Sequence, residues 1–584
     1  SAKLILTDDI AFSTTSAYFY AQGDKHEYSE FGADAYYDNG AVMVDVDVLA
    51  YALGMEASVS GGKASFGSVS VDVVEKNGDY FVNVAMVGRG LDKYVYDTDN
   101  RKFIVLSTTD KGYVNTQSPY NNLEQPDVIW RYLHFDRPTG DELYSALISN
   151  ASNQAHPRLL VKASELETIK ANINTNADMK AAYEELLVIC DKYLLTAPTA
   201  YRLTGSNGAV RAYQSAKDAK NVMFDLAMAY LISGEEKYAQ RLWDELENVC
   251  TDAWPSWNVE THFLDSAMLG NGVAVAYDTL YNWMTDDQKT FVRGAVTEKY
   301  LNYCVSGLAG TWGGYPWQKS KHMASNWGAS VNFTMLSLAT AFMDEEDADS
   351  MLTAKCKYIA QYAVSTMEGI ATALAPEGIN EESMNYYEIT EQHLGGILEI
   401  LNNVYGDTYN FLNVLGMREY PMFAMYNESR EGAFNIGGVK GWYNTSLYMP
   451  PEAFIYASLY NDADSMTMYN DFRKLLGISD YQAEFLMFYD PQMAANGSGN
   501  ADELELDKHY ESSDINISKG SWVDADTMYL GTTGAPDSAH AENVAYKVHR
   551  DAGSFVLDLL DERWAYDLGR NSCLPAGISQ YFAY

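Results

Sequence analysis

The chain has 584 residues, which is too long for one hydrophobic core, so we expect two to four domains. Its 47% hydrophobic content and 45 tyrosines exclude a disordered protein. The 40 basic and 80 acidic residues give a net charge of −40, which argues against nucleic acid as a partner. The same acidity disfavours a polyanionic ligand without excluding it, because a few local cations outweigh a screened remote field. No apolar run of about 18 residues is present, so we predict no membrane span.

The first 110 residues alternate short β-type runs with turns. Residues 40–54 predict a strand, a turn and a short helix closed by a glycine cap, and residues 79–105 are a weaker copy. This segment resembles the N-terminal stalk-type module of copper amine oxidases, which occurs in secreted proteins of Gram-positive bacteria. We therefore expect residues 1–110 to form a small α/β module that acts as a spacer or contacts carbohydrate or cell wall. The sequence starts at Ser1 without a leader, and we expect a secreted or cell-surface bacterial protein whose export signal has been removed.

Residues 111–155 are rich in Asn, Ser, Pro and Asp and predict a linker. From His156 the apolar residues recur with the helical period of 3.6. The clearest predicted helices are residues 216–232, 237–250, 263–283, 286–304, 329–342 and 351–372. About ten antiparallel helices without a fixed repeat favour an (α/α) toroid over a solenoid, and we place it at residues 156–495. The five cysteines lack ligand spacing and predict no disulfide framework.

Beyond residue 496 the pattern becomes β again, at residues 521–530, 544–548, 553–560 and 563–567. Helices followed by strands predict an all-α domain and then an antiparallel β-sandwich at residues 496–584, which we expect to be truncated. The predicted fold class is therefore multidomain α+β: a small N-terminal α/β module, a central (α/α) toroid and a C-terminal β-sandwich.

The most informative stretch lies in these last predicted strands. His549 and Asp551 have the two-residue spacing that puts both side chains on one face of a strand, and the next strand supplies Asp567. Such a group forms either a metal site or an acid/base site. The alternative is a structural hydrogen bond between histidine and aspartate.

Further candidates lie in the helical region. Loop aromatic residues suit stacking on sugar rings or, alternatively, plug the helix ends; they are Trp254, Trp257, Trp312, Tyr315 and Trp317. Asn326 stands at the start of a predicted helix, where its amide either points into the ring centre or caps the helix. Tyr386 opens another helix, and a tyrosine beside cations can act as base or acid.

Taken together, these features resemble the heparinase II/III superfamily of polysaccharide lyases, from His156 to the end of the sequence. The segments that carry the resemblance are His156-Pro157-Arg158-Leu159-Leu160, Trp257-Asn258, His262-Phe263-Leu264-Asp265, Ser325-Asn326-Trp327, Glu382 with Tyr386, Phe434-Asn435, and the HRDAGSFVLD and WAYDLG stretches. The resemblance implies β-elimination at a uronic acid, in glycosaminoglycan or alginate. A base removes the C5 proton, and the negative charge that develops on the carboxylate must be neutralised.

The resemblance also implies roles for single residues. Asn326 matches the position that contacts the carboxylate, and Tyr386 matches the tyrosine that protonates the leaving oxygen and in some members is also the base. His549 and Asp567 match ligands of a structural zinc, whose third ligand is expected beyond residue 584. We expect Trp312, Trp317 and His322 to bind the acidic polysaccharide substrate.

One departure leaves the base open. Lys547 replaces the first histidine of the HxHxD pattern, which in many members is a base or a substrate contact. Lys547 could stabilise the carboxylate as a cation, His322 or His540 could supply an imidazole, or tyrosine could act alone.

Two other functions stay open. One is a glycoside hydrolase on an (α/α) barrel, which needs two carboxylates such as Glu381, Glu382 or Glu388 with Asp265. The other is a non-catalytic glycan-binding protein, for which Lys547 is the motivating residue. The sequence does not predict an oligomeric state.

Overall fold

The computed structural model describes most of the chain in separate stretches. They are residues 9–14, 18–21, 24–38, 40–97, 103–108, 138–149, 151–206, 209–260, 262–309, 325–374, 377–379, 384–414, 416–434, 449–479, 481–499, 504–510, 514–524, 526–534 and 553–565. The chain divides into two compact units. The first comprises residues 1–135, 374–377 and 412–417, and the second comprises residues 136–373, 378–411 and 418–584.

The first unit is built from short antiparallel strands and two helices. Its strands are β1 (Asp9–Ser13), β2 (Tyr18–Ala21), β3 (Asp24–Glu27), β4 (Ala35–Asp38), β5 (Ala41–Asp45), β6 (Ala57–Ser60), β7 (Lys63–Phe66), β8 (Val69–Asp72), β9 (Val74–Lys76), β10 (Asp79–Asn83), β11 (Tyr94–Asp97) and β12 (Phe103–Ser107). Its helices are α1 (Val46–Leu53) and α2 (Val84–Gly90). The described strands form three sheets, with the orders β11-β12-β1-β2-β3, β4-β5-β10-β9 and β6-β7-β8.

The predicted strand–helix pair and its copy are both present in this unit. The Asp45 side chain caps α1 by accepting from the amide of Asp47 at 2.9 Å, and Gly54 ends the helix at φ 63°. Asn83 caps α2 in the same way, by accepting from the amide of Met86. The strands before the two helices, β5 and β10, pair antiparallel. The described part of residues 9–107 therefore contains antiparallel strands and two helices, and the assignment of residues 1–110 as a stalk-type module stays a prediction.

The chain continues as a long series of helices, interrupted by two short hairpins, β13 (Thr204–Ser206) with β14 (Ala209–Arg211) and β15 (Glu428–Ser429) with β16 (Gly432–Ala433). The helices are α3 (Gly140–Ile148), α4 (Ala151–Gln154), α5 (Leu166–Thr175), α6 (Ala177–Tyr193), α7 (Tyr213–Ser233), α8 (Glu236–Cys250), α9 (Phe263–Leu280), α10 (Asp286–Val296), α11 (Asn302–Leu308), α12 (Asn326–Phe342), α13 (Met351–Thr366), α14 (Glu368–Leu374), α15 (Met384–Ile400), α16 (Tyr420–Asn427), α17 (Ala453–Leu459), α18 (Ala463–Leu476), α19 (Gln482–Phe488) and α20 (Pro491–Ala494). The helices α3 and α4 lie inside the interval predicted as an irregular linker. A capping box explains α3: Thr139 accepts from the amide of Glu142 at 3.2 Å, and the Glu142 carboxylate accepts from the amide of Thr139 at 2.7 Å.

Four of these helices, α7, α9, α12 and α15, run parallel and side by side. Between α9 and α12 the register is constant: His262 stacks near Trp327, and fifteen residues further on in both helices Tyr277 packs against Phe342. Between α12 and α15, the Ser330 hydroxyl lies 3.0 Å from Nδ1 of His393 near one end. Nearer the other end, the Thr340 hydroxyl lies 2.7 Å from that of Tyr405. All four helices therefore begin at the same end of the layer.

The parallel helices approach each other closely, and the middle two, α9 and α12, are buried along almost their whole length. A Cβ on Gly270 would lie 2.4 Å from Thr334 of α12, and one on Gly272 would lie 2.8 Å from the Cα of Lys220 in α7. Every residue of α12 is buried, and so is every residue of α9 except Leu264. The helix α8 packs on both α7 and α9, and α13 packs on α12. Inner parallel helices joined through outer ones are compatible with the predicted toroid, whose closure into a ring stays a prediction.

The opposite, C-terminal end of the layer is held by the segment that begins at His156. The Arg158 guanidinium is 1% exposed and makes a bidentate pair with Asp344 at 2.7 and 2.9 Å. It also donates to the carbonyl of Thr340 at 2.8 Å, in the last turn of α12, where a cation complements the helix dipole. Asp278 of α9 accepts from the amide of Arg158 and from Nδ1 of His156. The His156–Leu160 marker is thus a structural clamp, distant from the helix starts.

The C-terminal strands form one antiparallel sheet in the described part of the chain, ordered β17 (Asp507–Tyr510), β18 (Ile515–Lys519), β19 (Tyr529–Thr533), β20 (Phe555–Leu559) and β21 (Glu562–Ala565). A buried ion pair fixes it: Nε of Arg563 donates to Asp558 at 2.7 Å, and both side chains contact the 428–433 hairpin through Ser429 and the carbonyl of Gly432. The mixed, multidomain α+β class is confirmed, and a second sheet that would complete a sandwich stays a prediction.

Two smaller predictions concern membranes and cysteines. Among the described residues, no helix combines the length and the apolar character needed to cross a bilayer. Four cysteines (Cys190, Cys250, Cys304 and Cys356) are buried free thiols that act as small core residues, and Cys573 lies outside the described residues.

Candidate functional site

The starts of the four parallel helices bring chemically active side chains to one end of the layer. Tyr213 is the first residue of α7, His262 precedes α9, Asn326 is the first residue of α12, and Tyr386 is the third residue of α15. Each helix N-terminus carries about half a positive charge, so four together favour an anion at this end. We name these first turns, together with the described residues directly before them, the helix-start face.

Asn326 and Tyr386, both predicted as catalytic, lie at similar heights along the axes of two neighbouring helices, α12 and α15. Ser330 of α12 meets His393 of α15, an offset of 63 residues that places Asn326 level with Ile389. Tyr386 is three residues before Ile389, which is about 4.5 Å along the helix axis. The packing of α12 on α15 therefore brings the amide and the phenol to the same end of the helix layer.

Asn326 is not the cap of its helix. Ser325 holds the N-cap position, and its hydroxyl accepts from the amide of Trp327 at 3.3 Å. Asn326 itself is 2% exposed. The explanation of Asn326 as the helix cap, which the sequence left open, is therefore wrong, because Ser325 caps the helix.

Tyr386 and Tyr387 are adjacent in sequence but differ in role. Tyr387 is fully buried, and its hydroxyl donates to the carbonyls of Tyr420 and Pro421, both at 3.3 Å, so it is a core residue. Tyr386 is only half-buried. Two residues later, Glu388 accepts from the hydroxyl of Tyr481 at 2.5 Å. Burial, with the charge of Glu388 next in importance, raises the pKa of Tyr213 to about 12, so Tyr213 is a neutral phenol at this face.

Asp265 is the anchor of the face and is completely buried. Its carboxylate accepts from Nε of Arg211 at 2.8 Å, from the amide of Ala212 at 2.7 Å and from the Asn258 side chain at 2.8 Å. Both oxygens are therefore occupied by donors that fix α7 against α9. This engagement argues against Asp265 as the acid or base of a glycoside hydrolase.

His262 lies beside this anchor as a neutral imidazole. Burial and, less strongly, the positive charge of Arg211 together lower its pKa to about 4, a shift that Asp265 only partly opposes. Its ring packs 4.8 Å from that of Trp327, the residue after Asn326. At neutral pH the ring therefore offers one hydrogen-bond donor and one acceptor without adding charge.

The loop tryptophans before α9 are not sugar platforms. Trp254 and Trp257 are 0% and 1% exposed. Their indole N–H groups donate to the carbonyls of Thr199 and Val249 at 3.0 and 2.9 Å. For these two residues the stacking interpretation is wrong: Trp257 lies against the end of α8, as the alternative held, and Trp254 is a buried loop residue.

The other predicted site residues lie outside the described residues. They are Trp312, Trp317 and His322 for the substrate, Lys547 for catalysis, and His549 and Asp567 for the metal. The same holds for Tyr315, Glu381, Glu382 and His540. Among the residues that are described, no group of three or more His, Cys, Asp or Glu is arranged to hold a metal ion.

Sequence reasoning missed Arg211, Tyr213 and Tyr481, and it used His262 only as a marker. Arg211 ends a short hairpin of β13 (Thr204–Ser206) and β14 (Ala209–Arg211), 54 residues before its partner Asp265. No local sequence pattern predicts an ion pair between two residues that are this far apart in the chain. Only the packing of α7 on α9 joins them.

Comparisons with known proteins give little. No protein-family model and no curated protein matches the chain. Among solved structures, a xanthan lyase from Paenibacillus is similar with 12% sequence identity and a TM-score of 0.35. The match covers 68% of this chain but spans only 40% of that lyase. A likeness at this level carries no argument about function, which must be argued from the helix-start face.

Proposed function

We propose that this protein is a polysaccharide lyase that cleaves a uronic-acid-containing polysaccharide, glycosaminoglycan or alginate, by β-elimination. The observation that supports it most is the parallel register of α12 and α15, which brings a buried amide and a half-buried phenol to one end. The four helix starts add positive potential there, and Arg211 supplies a cation that is paired with the buried Asp265, in a chain whose net charge is −40.

The reaction requires two things that these side chains can supply. The C5 proton must leave while negative charge develops on the uronate carboxylate, and a donor such as the Asn326 amide stabilises that charge. The phenolate of Tyr386 takes the C5 proton, and the resulting phenol returns this proton to the O4 leaving oxygen as the C4–O bond breaks. The products are an unsaturated uronate and a new chain end, and the tyrosine is regenerated.

The remaining parts of the proposal concern residues outside the described ones. Trp312, Trp317 and His322 would contact the sugar chain, and Lys547 would stabilise the carboxylate as a cation. A structural zinc would be held by His549, Asp567 and a third ligand beyond residue 584. Metal analysis of His549→Ala tests the zinc: unchanged metal content and melting would contradict it. Secretion or display at a bacterial cell surface, where such polymers occur, belongs to the same proposal.

The decisive experiment measures ultraviolet absorbance of unsaturated products from heparan, chondroitin, hyaluronan and alginate. We expect product from at least one polymer, loss of turnover in Tyr386→Phe, and nearly intact polysaccharide binding in that variant. Tyr358→Phe is the matched control, because Tyr358 is a half-buried tyrosine on α13 that packs on Tyr362.

Three outcomes would contradict the proposal or part of it. Full activity in Tyr386→Phe removes the assignment of that tyrosine. New reducing ends without the chromophore indicate a glycoside hydrolase. Polysaccharide binding with neither signal indicates a non-catalytic glycan-binding protein.

A further inference from the structure

Arg211 pairs with the buried Asp265, but one edge of its guanidinium has no role in that pairing. Its guanidinium is held from one side: Nε lies 2.8 Å and Nη2 2.6 Å from the same oxygen of Asp265. The plane of the group also packs over the Tyr213 ring, with 5.2 Å between the guanidinium carbon and the ring centroid. The side chain is nevertheless 21% exposed.

The other edge of the guanidinium is available. Within the described residues, Nη1 makes no hydrogen bond to the protein, whereas Nε and Nη2 are both used. An arginine fixed along one edge presents its remaining N–H groups in a known direction, at little further entropic cost. A carboxylate is the partner that such a fork matches best.

The local charges leave this cation effective. Asp265, its counter-ion, also accepts from the amide of Ala212 and from Asn258, so its negative charge is shared among several donors. His262, which lies beside Asp265, is neutral, and Glu388, whose charge also acts on Tyr213, accepts a hydrogen bond from Tyr481. A polyuronate that approaches a chain of net charge −40 is repelled at long range and needs such a contact at short range.

We propose that Arg211 binds a uronate carboxylate of the substrate and thereby selects acidic over neutral polysaccharides. The inference rests on the proposed function for the identity of the polymer, and it concerns binding rather than the chemical step. Asp265 acts through Arg211 as a positioning residue, and Tyr213 supports the flat face of the guanidinium.

The test compares Arg211→Gln with wild type in two measurements on the same polymers. The first is binding of alginate and heparan, and of the same polymers with their carboxyl groups reduced to alcohols, by affinity electrophoresis. The second is kcat and KM for product absorbance. We expect at least tenfold weaker binding of the native polymers, a KM raised by a similar factor with a smaller change in kcat, and unchanged binding of the reduced polymers.

Two further variants keep the result interpretable. Arg211→Gln leaves the carboxylate of Asp265 buried without its partner. The double variant Arg211→Gln, Asp265→Asn restores a neutral hydrogen-bonded pair. It should show the same loss of binding as Arg211→Gln and the melting temperature of wild type. Arg202→Gln removes an exposed arginine near the same hairpin and should bind as wild type does.

The outcomes separate this inference from the proposed function. Unsaturated product with an unchanged KM in the Arg211 variants overturns the role of Arg211 and leaves the lyase intact. Carboxylate-dependent binding that is lost in those variants, without any product, supports Arg211 and refutes the lyase. Equal binding of native and reduced polymers by wild type also overturns the inference.

Discussion

Protonation of His393 should make the helix layer unstable in acid. His393 lies on α15 with 2% exposure, its Nδ1 is 3.0 Å from the Ser330 hydroxyl of α12, and its ring packs against Phe333. Burial and, less strongly, the charge of Lys220 together lower its pKa to about 3. The folded protein therefore holds this imidazole neutral far below its usual range.

The sign and size of the effect follow from proton linkage. Between the unfolded pKa of 6.5 and the folded value of about 3, the unfolded state binds a proton that the folded state does not. The contribution of the neutral His393 to the free energy of unfolding is fully present above pH 6.5. It falls by about 1.4 kcal/mol for each pH unit below that value. At pH 4 the loss is about 3 kcal/mol, a large part of a typical total of about 5–15 kcal/mol.

The perturbation is His393→Asn, which keeps an amide near Ser330 but cannot gain a proton. The smaller side chain should lower stability by about 1–3 kcal/mol at every pH. Between pH 7 and pH 4, the free energy of unfolding of this variant should fall by about 3 kcal/mol less than that of wild type. Urea unfolding followed by far-ultraviolet circular dichroism, which reports the helices, measures both quantities at each pH.

The matched control is His509→Asn, a half-exposed histidine on β17 that pairs with Asp514. It should leave the pH dependence of wild type unchanged. If His393→Asn loses as much stability as wild type between pH 7 and pH 4, the argument from a buried neutral imidazole is refuted.

Three further predictions concern the clamp, the core and the site. Arg158→Ala should lower the free energy of unfolding by about 3–5 kcal/mol, because it leaves Asp344 without its bidentate partner; an unchanged melting temperature would contradict the clamp. Burial raises the pKa of Glu391 well above its usual value, so folding is favoured at low pH and this advantage is lost as pH rises. Glu391→Gln should therefore be more stable than wild type at pH 8 and lose that gain near pH 5, as urea titrations at the two pH values would show. Asn326→Ala should lower kcat on the cleaved polymer by about 10²–10³-fold, equivalent to about 2.7–4 kcal/mol, and kcat within a few-fold of wild type would exclude its role.

Much of the fold was readable because it depends on local patterns. The 3.6-residue period predicted residues 216–232, 237–250 and 329–342, and α7, α8 and α12 occupy those places with ends shifted by a few residues. The strand and helix before Gly54 were also predicted, since the glycine adopts the left-handed conformation that ends α1. The helices α3 and α4 were missed because the composition of the interval suggested a linker, although Thr139 and Glu142 form a recognisable capping box.

The sequence by itself determined where most of the long helices form, that the four described cysteines are core residues, and that Asn326 and Tyr386 stand at helix starts, but it placed a strand at residues 521–530, where the strand begins only at Tyr529. Those properties depend on side chains a few residues apart, whose periodicity and capping act within one element. Only the tertiary structure decided that these helix starts share one end, that Trp254 and Trp257 are buried, and that Arg211 is paired with Asp265. Such contacts join residues far apart in the chain, and they depend on how close-packed helices fix their register, which no local pattern encodes.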